Sequence, residues 1–191
     1  MTPDKIDLDV LSQITNTVSI PSEEAVAALL AAEKNTKKAR NSYSFTDLVG
    51  TWKLRFVTGT KKTRAKAGVV LGAGKYLPKL LDIGLTYTPV EESVNRVLVA
   101  NCVDFKLLKF TLSGPVEFMP KQNILAFDFT QMELKFAGIT LYKGYVSSGE
   151  EREANFYNTG IQKKPFFVYF LVQPQLIAAR GKGGGLAIWV R

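Results

Sequence analysis

Near its end the chain reads LIAARGKGGGLAIWVR, and Gly181-Lys182-Gly183-Gly184-Gly185 sets a lysine among glycines. Such a stretch can cradle a phosphate, because bare backbone N–H groups and an ammonium then face one anion. The order of residues argues against it. A phosphate loop needs G-x-x-x-x-G-K-[ST] followed by a helix. Here Lys182 precedes the glycine triplet, no serine or threonine follows, and Leu186-Ala187-Ile188-Trp189-Val190 has the texture of a strand. A dinucleotide fingerprint also needs a helix behind its glycines. The stretch is therefore expected to turn one strand back into the next, its glycines free to adopt positive φ. Other chemistry is scarce. The sequence has no histidine and one cysteine, Cys102. That excludes Ser-His-Asp and Cys-His nucleophile pairs, His-ligated metals and His-ligated haem. Cys102 alone builds neither a metal site nor an intrachain disulfide, so it is expected to be a buried structural thiol in a reducing compartment. Neither a catalytic residue, a metal nor a cofactor is expected, and the chain is not expected to be an enzyme.

What remains is a large stock of apolar side chains that strands must position. In Trp52-Lys53-Leu54-Arg55-Phe56, Leu125-Ala126-Phe127-Asp128-Phe129 and Met132-Glu133-Leu134-Lys135-Phe136, bulky residues recur at every second position. That is the period of a half-buried strand. Further strands are expected at Leu85–Thr88, Ser93–Ala100, Phe105–Leu112, Ile139–Tyr145, Phe166–Val172, Leu176–Arg180 and Leu186–Arg191. Turn residues separate them at Ser113-Gly114-Pro115, Pro120-Lys121-Gln122-Asn123, Ser147-Ser148-Gly149 and Gln173-Pro174. Many short strands at such spacing predict one antiparallel sandwich or barrel. If the sheet closes, its first and last strands are neighbours, since closure is what removes the edges. Trp52, in a G-x-W at the entry of the first strand, would then plug one end. Arg180 or Arg191 would lie on its ring, and Trp189 shares a face of the last strand with Arg191. The candidates for lining the interior, and hence a lipophilic ligand, are Leu54, Phe56, Leu125, Phe127, Phe129, Met132, Leu134, Phe136, Phe167, Tyr169 and Leu171; the same side chains could equally pack solid. Phe166–Val172 is apolar on both faces, so its outer face is expected to lie under the N-terminal helices or against lipid.

The first forty residues have helical spacing. Ile6, Val10, Leu11 and Ile14 form one apolar stripe. A second helix is expected from Ser22 as N-cap, with Glu23 and Glu24 at its positive end and Lys34, Lys37, Lys38 and Arg40 near its negative end. The chain thus divides into an N-terminal helical pair (1–42) and a β region (45–191) in one domain spanning 1–191. Charge is uneven. Residues 1–50 carry five basic and seven acidic side chains, whereas residues 51–80 carry Lys53, Arg55, Lys61, Lys62, Arg64, Lys66, Lys75 and Lys79 with no acid. That window equals the whole net charge of +8. Lys61, Lys62, Arg64, Lys66, Lys75 and Lys79 are expected either to face an anionic partner such as a membrane surface or to form a solvated face. No run nears the ~18 apolar residues of a spanning helix, and the start has neither a signal nor a transit signature.

Two stretches carry a resemblance: LVGTWKLRF (Leu48–Phe56) after a helical pair, and PFFVYFLVQPQLIAARGKGGGLAIWVR (Pro165–Arg191). Together they resemble the plastid lipid-associated protein family, the fibrillins or plastoglobulins of plants, algae and cyanobacteria. Leu176–Gly181 with Gly183–Gly185 and the closing Trp189 follows the family's ending, while Gln173-Pro174-Gln175 stands where the family has an acidic turn. The middle of the chain matches only as alternating strands. The resemblance implies a lipocalin-like barrel, binding of carotenoid, prenylquinone, fatty acid or another lipid, and peripheral association with thylakoid membranes or lipid globules on the cytoplasmic side. It transfers no catalytic residue. Without a transit peptide, a cyanobacterial-type member is expected. Two other readings compete. One is a bilin lyase, since barrels of similar shape attach bilins; it would draw its acid from Glu91, Glu92, Glu150, Glu151 or Glu153. The other is a single-stranded nucleic-acid binder using Phe105-Lys106 and Lys109-Phe110, although no nucleic acid is the expected partner. Oligomeric state is left open.

Overall fold

A computed structural model describes residues 11, 13, 20–59, 74–77, 82–89 and 97–191. Its helix α1 spans Ser22–Ala39, with Glu23 and Glu24 in the first turn and Lys37 and Lys38 in the last, as the macrodipole favours. The N-cap is Pro21 and not Ser22, and no side chain caps the helix; Arg40, at φ 54°, ends it in the left-handed region. Of the expected preceding helix, Ile6, Val10 and Ile14 lie outside the described residues, while Leu11 is helical and buried in the cluster beneath α1.

The strands are β1 (Gly50–Thr58), β2 (Gly74–Tyr76), β3 (Asp82–Pro89), β4 (Val97–Phe105), β5 (Leu108–Met119), β6 (Ile124–Phe127), β7 (Gln131–Phe136), β8 (Ile139–Tyr145), β9 (Phe166–Gln173), β10 (Leu176–Gly181) and β11 (Leu186–Val190). A short helix, α2 (Gly149–Ala154), follows β8. Pairing runs β1-β3-β4-β5-β6-β9-β10-β11 and returns to β1, every step antiparallel, which closes an eight-stranded barrel. The mainly β barrel expected from the alternation is present, and the first and last strands are neighbours.

Two strands change partner partway along, at the same end of the barrel. β1 pairs with β3 over Gly50–Lys53 and with β2 over Phe56–Thr58. β5 pairs with β7 over Leu108–Ser113 and with β6 over Val116–Met119. The β7–β8 hairpin, with the adjoining halves of β4 and β5, therefore leaves the barrel as a four-stranded wing. The switch lies at Ser113-Gly114-Pro115, which is continuous strand and not the turn its composition indicates. Thr130 N–H donates to the Ser113 carbonyl (2.9 Å) and Asp128 N–H to the Pro115 carbonyl (3.2 Å) as the β6–β7 connection crosses over. A Cβ on Gly114 would stand 2.1 Å from the Asp128 carbonyl oxygen, so only glycine admits that crossing. Proline's missing N–H falls in the gap between β6 and β7, where the ladder is already interrupted.

Three bulges reset the alternation, one of them in the wing, where β8 skips Leu141 so that Leu134 opposes Tyr142 and Lys135 opposes Thr140. β1 skips Arg55, so Leu54 opposes Trp189 and Phe56 opposes Ile188. β9 skips Phe170, so Leu171 opposes Ala178 and Tyr169 opposes Ala179. Past each bulge, odd and even positions exchange faces. One apolar cluster fills the barrel around Trp52, Leu85, Tyr87, Leu125, Tyr169 and Trp189. The other lies outside it, where α1 packs through Ala25, Val26, Leu29 and Ala32 on Phe56, Phe170, Leu171, Leu176 and Ile188. The doubly apolar β9 is thus covered outside by the helix. The Thr36 hydroxyl (2.6 Å) and the Tyr43 hydroxyl (3.0 Å) both donate to the Phe170 carbonyl.

Candidate functional site

The closed end is built from the G-x-W. Trp52 is 0% exposed, and its indole N–H donates to the Leu48 carbonyl at 2.7 Å. The Arg191 guanidinium stands 4.1 Å from the ring centroid and donates to the Val49 carbonyl at 2.5 Å. Gly50, at φ +116°, lies directly beneath it, where a Cβ would come within 3.2 Å of the guanidinium. The lock is therefore Trp52 with Arg191. Trp189 points into the barrel, ring to ring with Phe167 at 5.3 Å.

Arg180, the other candidate, points away. It sits on the outer face opposite Leu186 and Val168, and its guanidinium donates to Glu33 of α1 at 2.8 and 2.5 Å. That hydrogen bond holds the Glu33 carboxyl below its ordinary range and raises Arg180. Arg180 therefore fastens the helix to the barrel. It also donates to the Gly184 carbonyl at 2.8 Å, across the glycine turn. That turn is a strand connection: Gly184 has φ 82°, and Gly181 N–H meets the Gly185 carbonyl at 2.9 Å. Lys182 donates to the carbonyls of Gln162 (2.5 Å) and Lys164 (3.1 Å). Its ammonium thus ties two stretches of backbone together.

At mid-depth the Tyr87 and Tyr169 hydroxyls share a buried hydrogen bond of 2.7 Å. From there aromatic rings lead toward the opposite end. Tyr169 meets Phe167 at 6.3 Å, Phe167 stacks on Phe127 at 4.9 Å, and Phe127 meets Phe129 at 5.2 Å. Exposure rises along this line, since Leu54, Ala187, Phe167 and Phe129 are only half-buried whereas Trp52 and Tyr87 are sealed. The inner face then runs on past the ring. Directly paired residues share a face, so Leu85–Asn101–Leu112–Met132 and Val103–Phe110–Leu134–Tyr142 carry it across the wing. The Asn101 side-chain oxygen is buried in this apolar surface with no hydrogen-bond partner among the described residues.

The eleven lining candidates divide accordingly. Leu54, Leu125, Phe127, Phe129, Phe167 and Tyr169 belong to the interior cluster. Phe56 and Leu171 face outward beneath α1, each displaced by a bulge. Met132, Leu134 and Phe136 lie on β7, outside the ring, on the wing's continuation of the inner face. Trp52, Leu85, Tyr87, Leu125, Tyr169 and Trp189 pack into one cluster in the lower barrel, and cavities of about 760 Å³ between α1 and β9 and about 380 Å³ beside α2 lie outside it. Asn101 and Leu112 were not foreseen: Asn101 falls just past the expected strand end at Ala100, and Leu112 borders the expected turn at Ser113-Gly114-Pro115, both of which are continuous strand.

Lys75 is exposed on β2, while Lys61, Lys62, Arg64, Lys66 and Lys79 lie outside the described residues. So do Glu91 and Glu92; Glu150 and Glu151 are exposed on α2, and the Glu153 carboxylate accepts from Thr130 and Gln131. Phe110 and Lys109 point to opposite faces of β5. Among the described residues no cluster of acidic side chains and cysteine offers a metal site, and no helix is long and apolar enough to cross a membrane. No protein family, curated protein or solved structure matches the chain.

Proposed function

We propose that the chain is a non-catalytic binding protein for small lipophilic molecules, held at the open end of the barrel, which associates peripherally with lipid surfaces. One observation carries this reading: the aromatic inner face, sealed at Trp52, is half-exposed at the other end and contains a buried amide oxygen on Asn101 with no partner among the described residues. Apolar walls with a single polar handle fit a long hydrophobic molecule bearing one hydroxyl or carbonyl group. A side-chain amide meets either group, donating through nitrogen or accepting through oxygen. The buried cluster around Trp52 and Tyr87 favours a ligand held at the mouth, against Leu54, Phe127, Phe129 and Phe167, with its tail running onto the wing. Carotenoids, prenylquinones and fatty acids are the classes favoured by the sequence resemblance, with photosynthetic membranes or lipid globules as the setting.

The decisive test is the organic extract of protein purified from its own cells, followed by titration of the stripped protein with a prenylquinone. Near-stoichiometric lipid, carotenoid or quinone in the extract is expected, with saturable quenching of Trp189 on titration. Phe129→Ala should weaken binding roughly tenfold, as a buried ring contact is lost. An empty extract together with no saturable quenching would sink the reading.

A further inference from the structure

The wing ends in two hairpin turns side by side, Phe105-Lys106-Leu107-Leu108 and Phe136-Ala137-Gly138-Ile139. Ala137 N–H donates to the Leu107 carbonyl at 2.7 Å and locks them together. Lys106 (φ 56°), Ala137 (φ 46°) and Gly138 (φ 82°) hold the chain in tight reversals. Phe105, Leu108, Phe136 and Ile139 are successive cross-strand partners, so their side chains form one row across all four strands. With strands ~4.8 Å apart that row is roughly 14 Å wide. Ile139 is 69% exposed, Leu141 62% and Leu107 61%. Elsewhere on the described surface, exposed large apolar residues occur singly, as at Leu30 and Tyr157. Large apolar side chains gathered at the tip of a projection call for a partner.

Charge identifies that partner. No acidic residue lies in the tip row itself. The next row inward, on the opposite face, runs Asp82–Asp104–Lys109–Lys135, with Asp82 engaged by Lys53 at 2.9 Å, and Lys106 and Lys143 stand near its other members. Glu133 is engaged by Lys135 at 3.0 Å. Five lysines against three acids leave the collar behind the apolar row net positive, on a chain of net charge +8. Apolar side chains projecting from narrow turns with ammonium groups one row behind suit a lipid interface, where the row enters the acyl boundary and the lysines meet anionic headgroups.

We propose that the wing tip, centred on Leu107, Phe136 and Ile139, is the element that inserts into anionic lipid surfaces, turning the open end of the barrel toward the lipid. This rests on the lipid-surface half of the function proposed above. It differs from the sequence expectation, which gave contact to the basic window of residues 53–79 or to the outer face of β9; that face is occupied by α1.

The test uses the full chain with vesicles of equal parts phosphatidylglycerol and phosphatidylcholine. The wild type should float with them, and should float less with phosphatidylcholine alone or in high salt. The double variant L107S/I139S should lose at least roughly tenfold in partitioning, because two aliphatic side chains no longer leave water. A reporter variant, Leu107→Trp, should shift its emission to the blue on vesicle addition and be quenched by brominated acyl chains, whereas Lys75→Trp should not. Unchanged partitioning of L107S/I139S with no shift from Leu107→Trp overturns the tip assignment while leaving lipid association standing. A wild type that floats with neither vesicle overturns both. A wild type that fails to float but sediments as a dimer, converted to monomer by L107S/I139S, assigns the tip to a second copy of the chain and also overturns the proposal.

Discussion

The two ends of the barrel use the same residue classes to opposite effect. At the Trp52 end, the core aromatic Trp52 is buried and polar groups around it are directed. The indole donates to Leu48, the Arg191 guanidinium lies on the ring and reaches Val49, and the 3₁₀ turn Phe45–Asp47, with its Ser44–Asp47 capping box, closes over the opening. At the wing end, equally apolar residues remain half-buried or exposed, and a buried amide oxygen has no partner among the described residues. The difference follows from strand pairing. At the closed end every strand keeps its barrel neighbours; at the other, β1 and β5 exchange a ring neighbour for β2 and β7. The wall opens there, and apolar surface that would have been core becomes available for binding. The buried cluster is densest where the ladder is complete, and the proposed recognition surface lies where it branches.

Substitutions at the two ends should separate these roles. Trp52→Ala removes a fully buried ring and should cost about 3–5 kcal/mol of unfolding free energy, read from urea denaturation. Ile139→Ser, a larger change in hydropathy at a 69% exposed site, should alter stability by no more than about 0.5 kcal/mol. Arg191→Ala should lie between them at about 1–2 kcal/mol, through loss of the ring contact and the hydrogen bond to Val49. Equal costs at Trp52 and Ile139 would mean that the wing is part of the core and not an appended surface.

The closed end was largely legible in the sequence and the open end was not. Gly50, Trp52 and the C-terminal arginine are local marks of a closing contact, although Arg180 and Arg191 could be told apart only once the faces of β10 were known. The assignments went astray at two departures from period two and one change of strand partner. The bulges at Arg55 and Phe170 leave no signal in composition, so Phe56 and Leu171 were assigned to the wrong face. Gly114-Pro115 is locally the strongest turn mark in that region, yet the glycine answers a long-range demand, the passage of Asp128–Thr130 over β5. A β5 divided there hid the wing, and a strand ended at Ala100 hid the position of Asn101.

That branch point can be tested by itself. Gly114→Ala places a methyl group against the Asp128 carbonyl, at 2.1 Å in the unrelaxed geometry, and against the Thr130 hydroxyl at 2.9 Å. The crossover must shift, at a cost of about 1–3 kcal/mol. The loss should be local. Hydrogen exchange at β7 and β8 amides should accelerate, while β10 and β11 amides keep their protection. Uniform acceleration across the sheet would show that wing and barrel unfold as one unit.

A subtler effect lies between the two ends, at the Tyr87–Tyr169 pair. Burial pushes both phenols above their ordinary value of 10.0, and each hydroxyl has the other as its partner. Tyr87→Phe alone leaves the Tyr169 hydroxyl buried without its mate and should cost about 1–2 kcal/mol. Removing both should cost less than twice that, because no polar group is then stranded. The sign of the pH effect is fixed by the same geometry. Above pH 10 the two phenols ionise in the unfolded chain but stay protonated in the folded one, so the unfolded state binds fewer protons and stability falls as pH rises. The double variant Y87F/Y169F should therefore lose less stability between pH 9 and pH 11 than the wild type, with Tyr76, also raised by burial, keeping the dependence from vanishing. If wild type and double variant fall in parallel, water reaches the pair from the mouth, and the sealed part of the barrel ends nearer to Trp52 than the ring packing indicates.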